Sequence, residues 1–291
     1  MVLNKRPCAS HPFSIHPRVA LTAGHCVFGM KPEWFSFTTG GEVRDNTLKR
    51  PKISMIEAEP SYAGSKGTQT MNASGNDLGV IVFEESVLRT FSMTEADLPD
   101  LASTRELLTQ AFAEARDMEL VGYGLTVSGS MTVDPQTSTS KRRYSIITAL
   151  ENDGTLIRAK GLLKGQTSCF GDSGGPLFSI DGSSRKTLLG ILTSISPGGA
   201  LQQKMDEERS KLRDKEDLKR MKQQDKNLAK GITELLPVKP INLPKSLLAK
   251  TCGDVDTLQH AAPIYLHLCW VQSTTGIVLD PTLNCSSNGG F

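Results

Sequence analysis

Short apolar runs, each about seven residues long and rich in Val, Ile and Leu, recur along this chain between turn signals. They are RVALTAG (18–24), DLGVIVF (77–83), MELVGYG (118–124), YSIITAL (144–150) and TLLGILTSI (187–195). Runs of this length are typical of strands and shorter than most helices. The pattern therefore predicts the strands of a barrel or a sandwich. The 291 residues are enough for one large domain or for two small barrels.

Two stretches have helical character instead. Residues 101–117 carry apolar side chains at helical spacing, so we expect a short helix that connects two halves of the molecule. Residues 201–230 hold ten Lys or Arg and seven Asp or Glu, without Gly or Pro, which predicts a solvated helix with opposite charges at three- and four-residue spacing. Gly231 is the expected stop, residues 237–244 read as an extended linker, and residues 134–143 as an exposed loop.

The charge balance argues against two classes of partner. Lys and Arg number 33 against 31 Asp and Glu, a net charge of +2, which gives no general electrostatic reason to expect a nucleic acid or a membrane surface. No run of 18 apolar residues occurs, so we expect no membrane span.

Six cysteines are dispersed along the chain, and none forms a C-x-x-C pair, so no structural zinc site is expected. An even number of dispersed cysteines is typical of disulfides and of an oxidising compartment, secreted or periplasmic. The first residues, MVLNKRPCAS, contain no apolar signal segment. Two interpretations stay open: a processed or truncated chain with disulfides, which we favour, or reduced thiols in a cytosolic protein.

The stretch CFGDSGGPLF (169–178) places Ser173 between an aspartate and two glycines. A serine hydroxyl becomes a good nucleophile only when a base removes its proton, and histidine is the usual base. Of the five histidines, His25 directly follows a strand-like run in LTAGHC. Asp77 directly precedes another strand-like run in NDLGVIVF. Each residue alone has a commonplace structural interpretation, as a core histidine or a turn aspartate.

In combination and in this order, LTAGHC, NDLGVIVF and GDSGGPL resemble the chymotrypsin-like serine proteases. MELVGYGLT (118–126) and GILTSI (190–195) are similar to two further strands of that family, and the resemblance covers roughly residues 8–200 and 252–270. It implies an all-β fold of two six-stranded Greek-key barrels with the active site in the cleft between them. A charged helical insertion and a C-terminal helix, which begins near PIYLHLCW (263–270), complete the expected architecture.

The resemblance also implies the division of the chain and the roles of its site residues. The N-terminal barrel is expected over 1–97, the connection over 98–117, and the C-terminal barrel over 118–291 with the insertion at 200–245. His25 is implied as general base and acid, Asp77 as the residue that orients it, and Ser173 as the nucleophile of a serine endopeptidase. The N–H groups of Gly171 and Ser173 are implied to form the oxyanion hole. The substrate is a polypeptide, and no cofactor or metal is implied.

Four positions are implied to bind the substrate. Thr167 lies at the family's pocket floor and is not an acidic residue, so no preference for Arg or Lys at the cleaved position is expected. Thr193 replaces a serine that touches the catalytic aspartate, and Ser194 replaces a tryptophan wall of the cleft. Ile195 replaces a glycine at the pocket mouth. An elastase-like preference for small or medium apolar residues follows.

The family's disulfides imply two pairs in this chain, Cys8–Cys26 and Cys169–Cys252. That leaves Cys269 and Cys285 to pair with each other. With the second pair, residues 197–251 become an insertion that leaves and rejoins the pocket rim. The charged helix would then lie near the substrate entrance, where it could gate large substrates or contact a protein partner.

Several alternatives remain at this point. The family's active form begins with a segment whose α-ammonium pairs with the aspartate before the nucleophile, here Asp172, and this chain has no such segment. Either an upstream part is missing, or Asp172 has another partner, or the chain is an inactive homologue that binds a partner, for example through 201–230. GDSGG also matches the nucleophile elbow of α/β-hydrolases, in which His260 or His267 would be the base.

Overall fold

The fold is built mainly from short strands, as the apolar runs predicted. A computed structural model describes residues 13–35, 37, 50–62, 75–124, 142–161, 167–169, 171–180, 186–228, 250–252, 254, 256–281 and 285. Its strands are β1 (Phe13–His16), β2 (Val19–Thr22), β3 (Ile53–Ala58), β4 (Gly79–Phe83), β5 (Asp117–Gly122), β6 (Arg143–Asn152), β7 (Ile157–Gly161), β8 (Pro176–Ser179), β9 (Leu188–Ser196) and β10 (Leu258–Pro263). All five predicted runs contain a strand.

The strands form two antiparallel sheets. The first has the order β1-β2-β4-β3, and the second closes into a six-stranded barrel with the order β10-β7-β6-β5-β8-β9. The all-β class and the closed second barrel are therefore confirmed. In the first half, the described residues give four strands, and the six predicted there stay a prediction, since 38–49 and 63–74 lie outside the described residues.

One apolar cluster joins the two sheets. Leu21 on β2 and Leu78 before β4 share it with Leu188 and Ile191 on β9 and with Trp270, and all five side chains are buried. Apolar area shared in this way is removed from water only while the two sheets stay together. The cluster therefore holds the two sheets together.

Helices of different lengths accompany the sheets. They are α1 (Gly24–Val27), α2 (Val87–Phe91), α3 (Thr104–Ala113), α4 (Gly199–Leu228) and α5 (Leu268–Thr275). The helix α3 lies within the predicted connection and buries Leu108 and Ala111 on the second barrel. The predicted C-terminal helix is α5, which begins after a 3-10 turn at Ile264–Leu266 and ends at Gly276 in the left-handed conformation (φ 66°).

The predicted charged helix is α4. Its first turns bury Leu201 and Met205, against which Leu212 packs. Beyond them, its charged side chains pair three residues apart, as in Glu216 with Lys219, and Met221 is 63% exposed. No helix in the described part of the chain combines the length and apolarity needed to cross a bilayer.

The structure corrects the end of the predicted loop at 134–143, and the other predictions about turns and linkers lie outside the described residues. Residue 143 begins β6 and so belongs to a strand, not to the loop expected over 134–143, because it pairs with Gly122 on β5. Gly231, the linker at 237–244 and Cys8 lie outside the described residues.

Two cysteine pairs lie at disulfide distance in the structure. The Cα atoms of Cys169 and Cys252 are 4.8 Å apart, and those of Cys269 and Cys285 are 5.2 Å apart, which are normal separations for disulfides. These are two of the three pairs that were predicted. Cys26 is buried in α1, and its pairing with Cys8 stays a prediction.

Candidate active site

His25 and Asp77 meet at the ends of neighbouring strands. Because β2 and β4 are antiparallel, with Thr22 opposite Gly79, the residues after β2 lie beside those before β4. The His25 Nδ1 atom lies 2.7 Å from Asp77 Oδ2, and the His25 backbone N–H donates to Asp77 Oδ1 over 2.7 Å. Asp77 is buried, and the His25 side chain is 24% exposed.

Gly24 makes this close approach possible. A Cβ atom at Gly24 would lie 2.9 Å from the carbonyl oxygen of Leu78 and 3.1 Å from Asp77 Oδ1. A larger residue before His25 would therefore push α1 away from the aspartate. The short helix presents the ring of His25 to solvent while its backbone stays bound to Asp77.

Ser173 lies on a tight turn that contacts the strand leading to His25. Gly171 and Gly174 on either side have positive φ angles of 96° and 84°, which other residues rarely adopt. A Cβ at Gly174 would lie 2.3 Å from Thr22 Oγ1 and 3.1 Å from the Ala23 nitrogen. The turn is thus packed against β2, and the Ser173 hydroxyl donates a long hydrogen bond, 3.5 Å, to the Thr193 carbonyl.

The turn also carries two unused donors. Within the described residues, the backbone N–H groups of Gly171 and Ser173 donate to no protein acceptor, whereas Asp172 N–H donates to Cys169 and Gly174 N–H to Leu192. Unpaired N–H groups at such a turn are available to a developing oxyanion.

Asp172 anchors the turn to the end of β5. Its Oδ1 accepts the Gly124 N–H over 2.6 Å, and its Oδ2 accepts the Cys169 N–H over 2.8 Å. Burial raises the pKa of Asp172 to about 6, while these N–H groups and the positive charge of Arg143 oppose the rise. A carboxylate at this place therefore remains mostly ionised at neutral pH.

The comparison with known families agrees with this arrangement. A family model described as Trypsin matches residues 9–206, more than half of the chain. The chain belongs to the trypsin family. It is accordingly a member of the chymotrypsin-like serine proteases, which act on polypeptides, and the expected class is confirmed. The match ends within α4, so β10 and α5 follow it.

At the expected pocket floor of this trypsin-family chain, the polar groups of Thr167 and Ser168 already have hydrogen-bond acceptors within the protein. The Thr167 hydroxyl donates to the Cys252 carbonyl, across the Cys169–Cys252 pair. The Ser168 N–H donates to Gln259 Oε1 over 3.2 Å. Gln259 is 2% exposed and lies directly opposite Ile195 in the β9–β10 pair.

Gln259 was not singled out in the sequence. The signal that would have found it is the register of β9 against β10, because cross-strand partners share one face of a sheet. That register cannot be read from the residues alone, since the two strands are separated by the whole of α4 and the residues after it.

Thr193 lies on β9, and its hydroxyl donates to the His260 carbonyl over 3.1 Å. The β9–β10 pair has a bulge here: His260 lies opposite Ser194 while Ala261 lies opposite Leu192, so Thr193 falls between the two pairs. The expected role of Thr193 in substrate binding stays a prediction. Ser194 is buried beside His260.

The two histidines of the α/β-hydrolase interpretation are used elsewhere. His260 Nε2 lies 2.7 Å from Ser196 Oγ, and His267 Nε2 lies 2.8 Å from the carbonyl of Gly75. The all-β fold excludes the strand–elbow–helix arrangement that this interpretation needs. Among the described residues, no three His, Cys, Asp or Glu side chains cluster as metal ligands would.

Proposed function

We propose that the protein is an active serine endopeptidase with His25, Asp77 and Ser173 as its catalytic triad. The observation that carries the proposal is the pair of bonds from His25 to Asp77, beside a Ser173 turn packed on the strand that leads to His25. The intact constellation supports catalysis more than the alternative, an inactive homologue that acts as a binding protein.

The geometry suggests how each group acts. A carboxylate only accepts hydrogen bonds, so the His25 Nδ1 atom carries the proton in its contact with Asp77, and Nε2 is left as the base. His25 takes the Ser173 proton as Oγ attacks the scissile carbonyl, and later gives that proton to the leaving amine. The N–H groups of Gly171 and Ser173 stabilise the oxyanion, and each such donor contributes about 3 kcal/mol to transition-state stabilisation. Water then releases the acyl group from Ser173 by the same proton transfers.

A fluorophosphonate probe with intact-mass detection tests this proposal. We expect one covalent adduct on Ser173 in the wild-type protein, and none in Ser173→Ala or, over the same time, in His25→Ala. Ser179→Ala is the matched control and should label like the wild type, since that serine lies on β8 away from the turn. A wild-type protein that folds but forms no adduct would favour the inactive homologue.

For specificity, we propose the elastase-like preference for small or medium apolar residues at the cleaved position. Support comes from Ile195 and Gln259, which face each other across β9 and β10, and from the Thr167 hydroxyl, which already has an acceptor. Thr167, Ser194 and the backbone of Thr193 complete the proposed substrate-binding surface. A peptide-library cleavage profile should show residues such as Ala or Val. A profile dominated by Arg or Lys would refute the pocket proposal and leave the triad untouched.

The cysteine pairs bear on the compartment in which the protein acts. Two cysteine pairs at disulfide distance favour an oxidising compartment, secreted or periplasmic. The substrate is a polypeptide, and α4 remains a candidate surface for a protein partner.

A further inference from the structure

The side chain of Asp172 occupies a slot made by two glycines at the end of β5. A Cβ at Gly122 would lie 2.0 Å from Asp172 Oδ1, and a Cβ at Gly124 would lie 2.5 Å from Asp172 Oδ2. These distances are far below any normal contact, so the carboxylate fills the space where both side chains would be. The main-chain N–H groups of Gly124 and Cys169 donate into the slot, and that of Tyr123 also acts on the carboxylate.

The Arg143 side chain projects from the face of the sheet on which this slot lies. It is the direct partner of Gly122 in the β5–β6 register. Cross-strand partners project from the same face with their Cβ positions about 5 Å apart. Since Asp172 Oδ1 lies where the Gly122 side chain would start, the Arg143 side chain begins beside the carboxylate, and its charge lowers the pKa of Asp172.

Asp172 lies between the two residues whose N–H groups point to no protein acceptor. Its own N–H and carbonyl are bound to Cys169 and Gly175, so its side chain and backbone together fix the peptide groups of Gly171 and Ser173. If the carboxylate left the slot, both donors would lose their shared anchor.

We propose that Arg143 supplies, from within the chain, the positive charge that keeps the Asp172 carboxylate in its slot, and that the oxyanion turn is thereby held in place. The inference rests on the proposed function, because it explains how the proposed oxyanion donors are positioned. Arg143 is a positioning residue in this scheme, since it acts through Asp172 and does not touch the substrate.

The charged groups around Asp172 make the scheme testable by pH. In the described residues, Arg143 on β6 is the charged side chain that acts on Asp172, while residues 122–124 and Cys169 meet it through main-chain groups. The charge of Arg143 lowers the pKa of Asp172, so its removal raises that pKa. Protonated Asp172 binds the N–H donors more weakly, and the turn relaxes.

The test compares Arg143→Gln with Arg142→Gln, which removes the same charge from the neighbouring exposed residue. Because the pKa of Asp172 rises from about 6, more of its carboxyl group is protonated at pH 7, so Arg143→Gln should lose part of the wild-type kcat at pH 7, about twofold for a rise of one unit, and recover it as the pH rises. Arg142→Gln should follow the wild-type profile, and Arg143→Lys should restore most of the activity.

A titration separates failure of this inference from failure of the proposed function. The carboxyl carbon of Asp172, followed by NMR, should titrate at a higher pH in Arg143→Gln than in the wild type, even if Ser173 proves unreactive. Identical titrations in the two proteins would overturn the inference. So would a wild-type kcat of Arg143→Gln at pH 7 and below.

Discussion

At the scale of single residues, Asp77 controls both the position and the tautomer of His25. One carboxylate oxygen holds the backbone of His25 and the other holds Nδ1. The first contact fixes where the ring starts, and the second decides which ring nitrogen can act as a base.

Asp77→Asn tests the second contact alone. The amide can place its NH₂ group toward Nδ1, which moves the ring proton to Nε2 and removes the base. We expect kcat for a peptide substrate to fall by about four orders of magnitude with the fold intact. Asp206→Asn, on the exposed surface of α4, is the control and should leave kcat unchanged. A loss of less than tenfold in Asp77→Asn would contradict the proposed role.

His260 should make the protein sensitive to acid. Burial, helped by the charge of Arg158, lowers the pKa of His260 to about 4, against 6.5 for an unperturbed histidine. As the pH falls from about 6.5 toward 4, His260 binds a proton in the unfolded chain but not in the folded protein. The contribution of this histidine to stability is therefore lost as the pH falls through that window.

The measurement is the free energy of unfolding against pH. Between pH 6.5 and 4, His260→Leu should lose less stability than the wild type, because it has no proton to take up. Ser196→Ala removes the hydrogen bond to His260 but keeps the histidine, so it should retain most of the wild-type slope. Parallel curves for His260→Leu and the wild type would show that His260 does not cause the acid loss.

At the scale of elements, the end of β5 and the nucleophile turn act as one unit. Gly124→Ala should place a methyl group 2.5 Å from the Asp172 carboxyl carbon and oxygen and displace the side chain. We expect kcat to fall at least as far as in Arg143→Gln. Gly29→Ala is the control: its φ is 68° and nothing lies within 4 Å, so it should cost about 1–2 kcal/mol of stability and leave kcat unchanged. Wild-type kcat in Gly124→Ala would show that the slot is not needed.

The elements also show what the sequence could and could not predict. Ser173, His25 and Asp77 could be singled out as candidates because each lies in a short contiguous motif beside an apolar run. Gln259 and the bond from Thr193 to His260 could not, since both depend on the register and the bulge between β9 and β10. The slot for Asp172 was missed for a similar reason: it depends on a contact between residues 48 positions apart.

At the scale of the whole molecule, α4 is held at one end and solvated along the rest. A 30-residue helix is about 45 Å long, yet its buried apolar side chains lie in its first turns, where Met205 packs near Thr251 beside Cys252. The attached end follows β9 directly, so the helix begins close to the proposed substrate-binding residues.

Replacement of residues 213–228 by a short Gly/Ser linker tests the role of the solvated part of α4. The shorter chain keeps Leu201, Met205 and Leu212, so the contacts around Cys252 are preserved. We expect unchanged hydrolysis of small peptides and altered cleavage of folded proteins. Leu218→Ala with Met221→Ala in the full-length chain shows whether the exposed apolar side chains alone are responsible. Equal loss on peptides and proteins would mean that the segment supports the barrel itself.

The pairing of Cys169 with Cys252 encloses Ser173, β8, β9 and α4 in one covalent ring. A protease that cuts the chain once anywhere inside this ring produces two polypeptides that stay attached through the disulfide. The nicked molecule would migrate as a single species until a reductant is added. A cut within the outer turns of α4 would also leave the nucleophile turn, β9 and their contacts with His25's strand in place, so the protein should tolerate such damage without losing its active site.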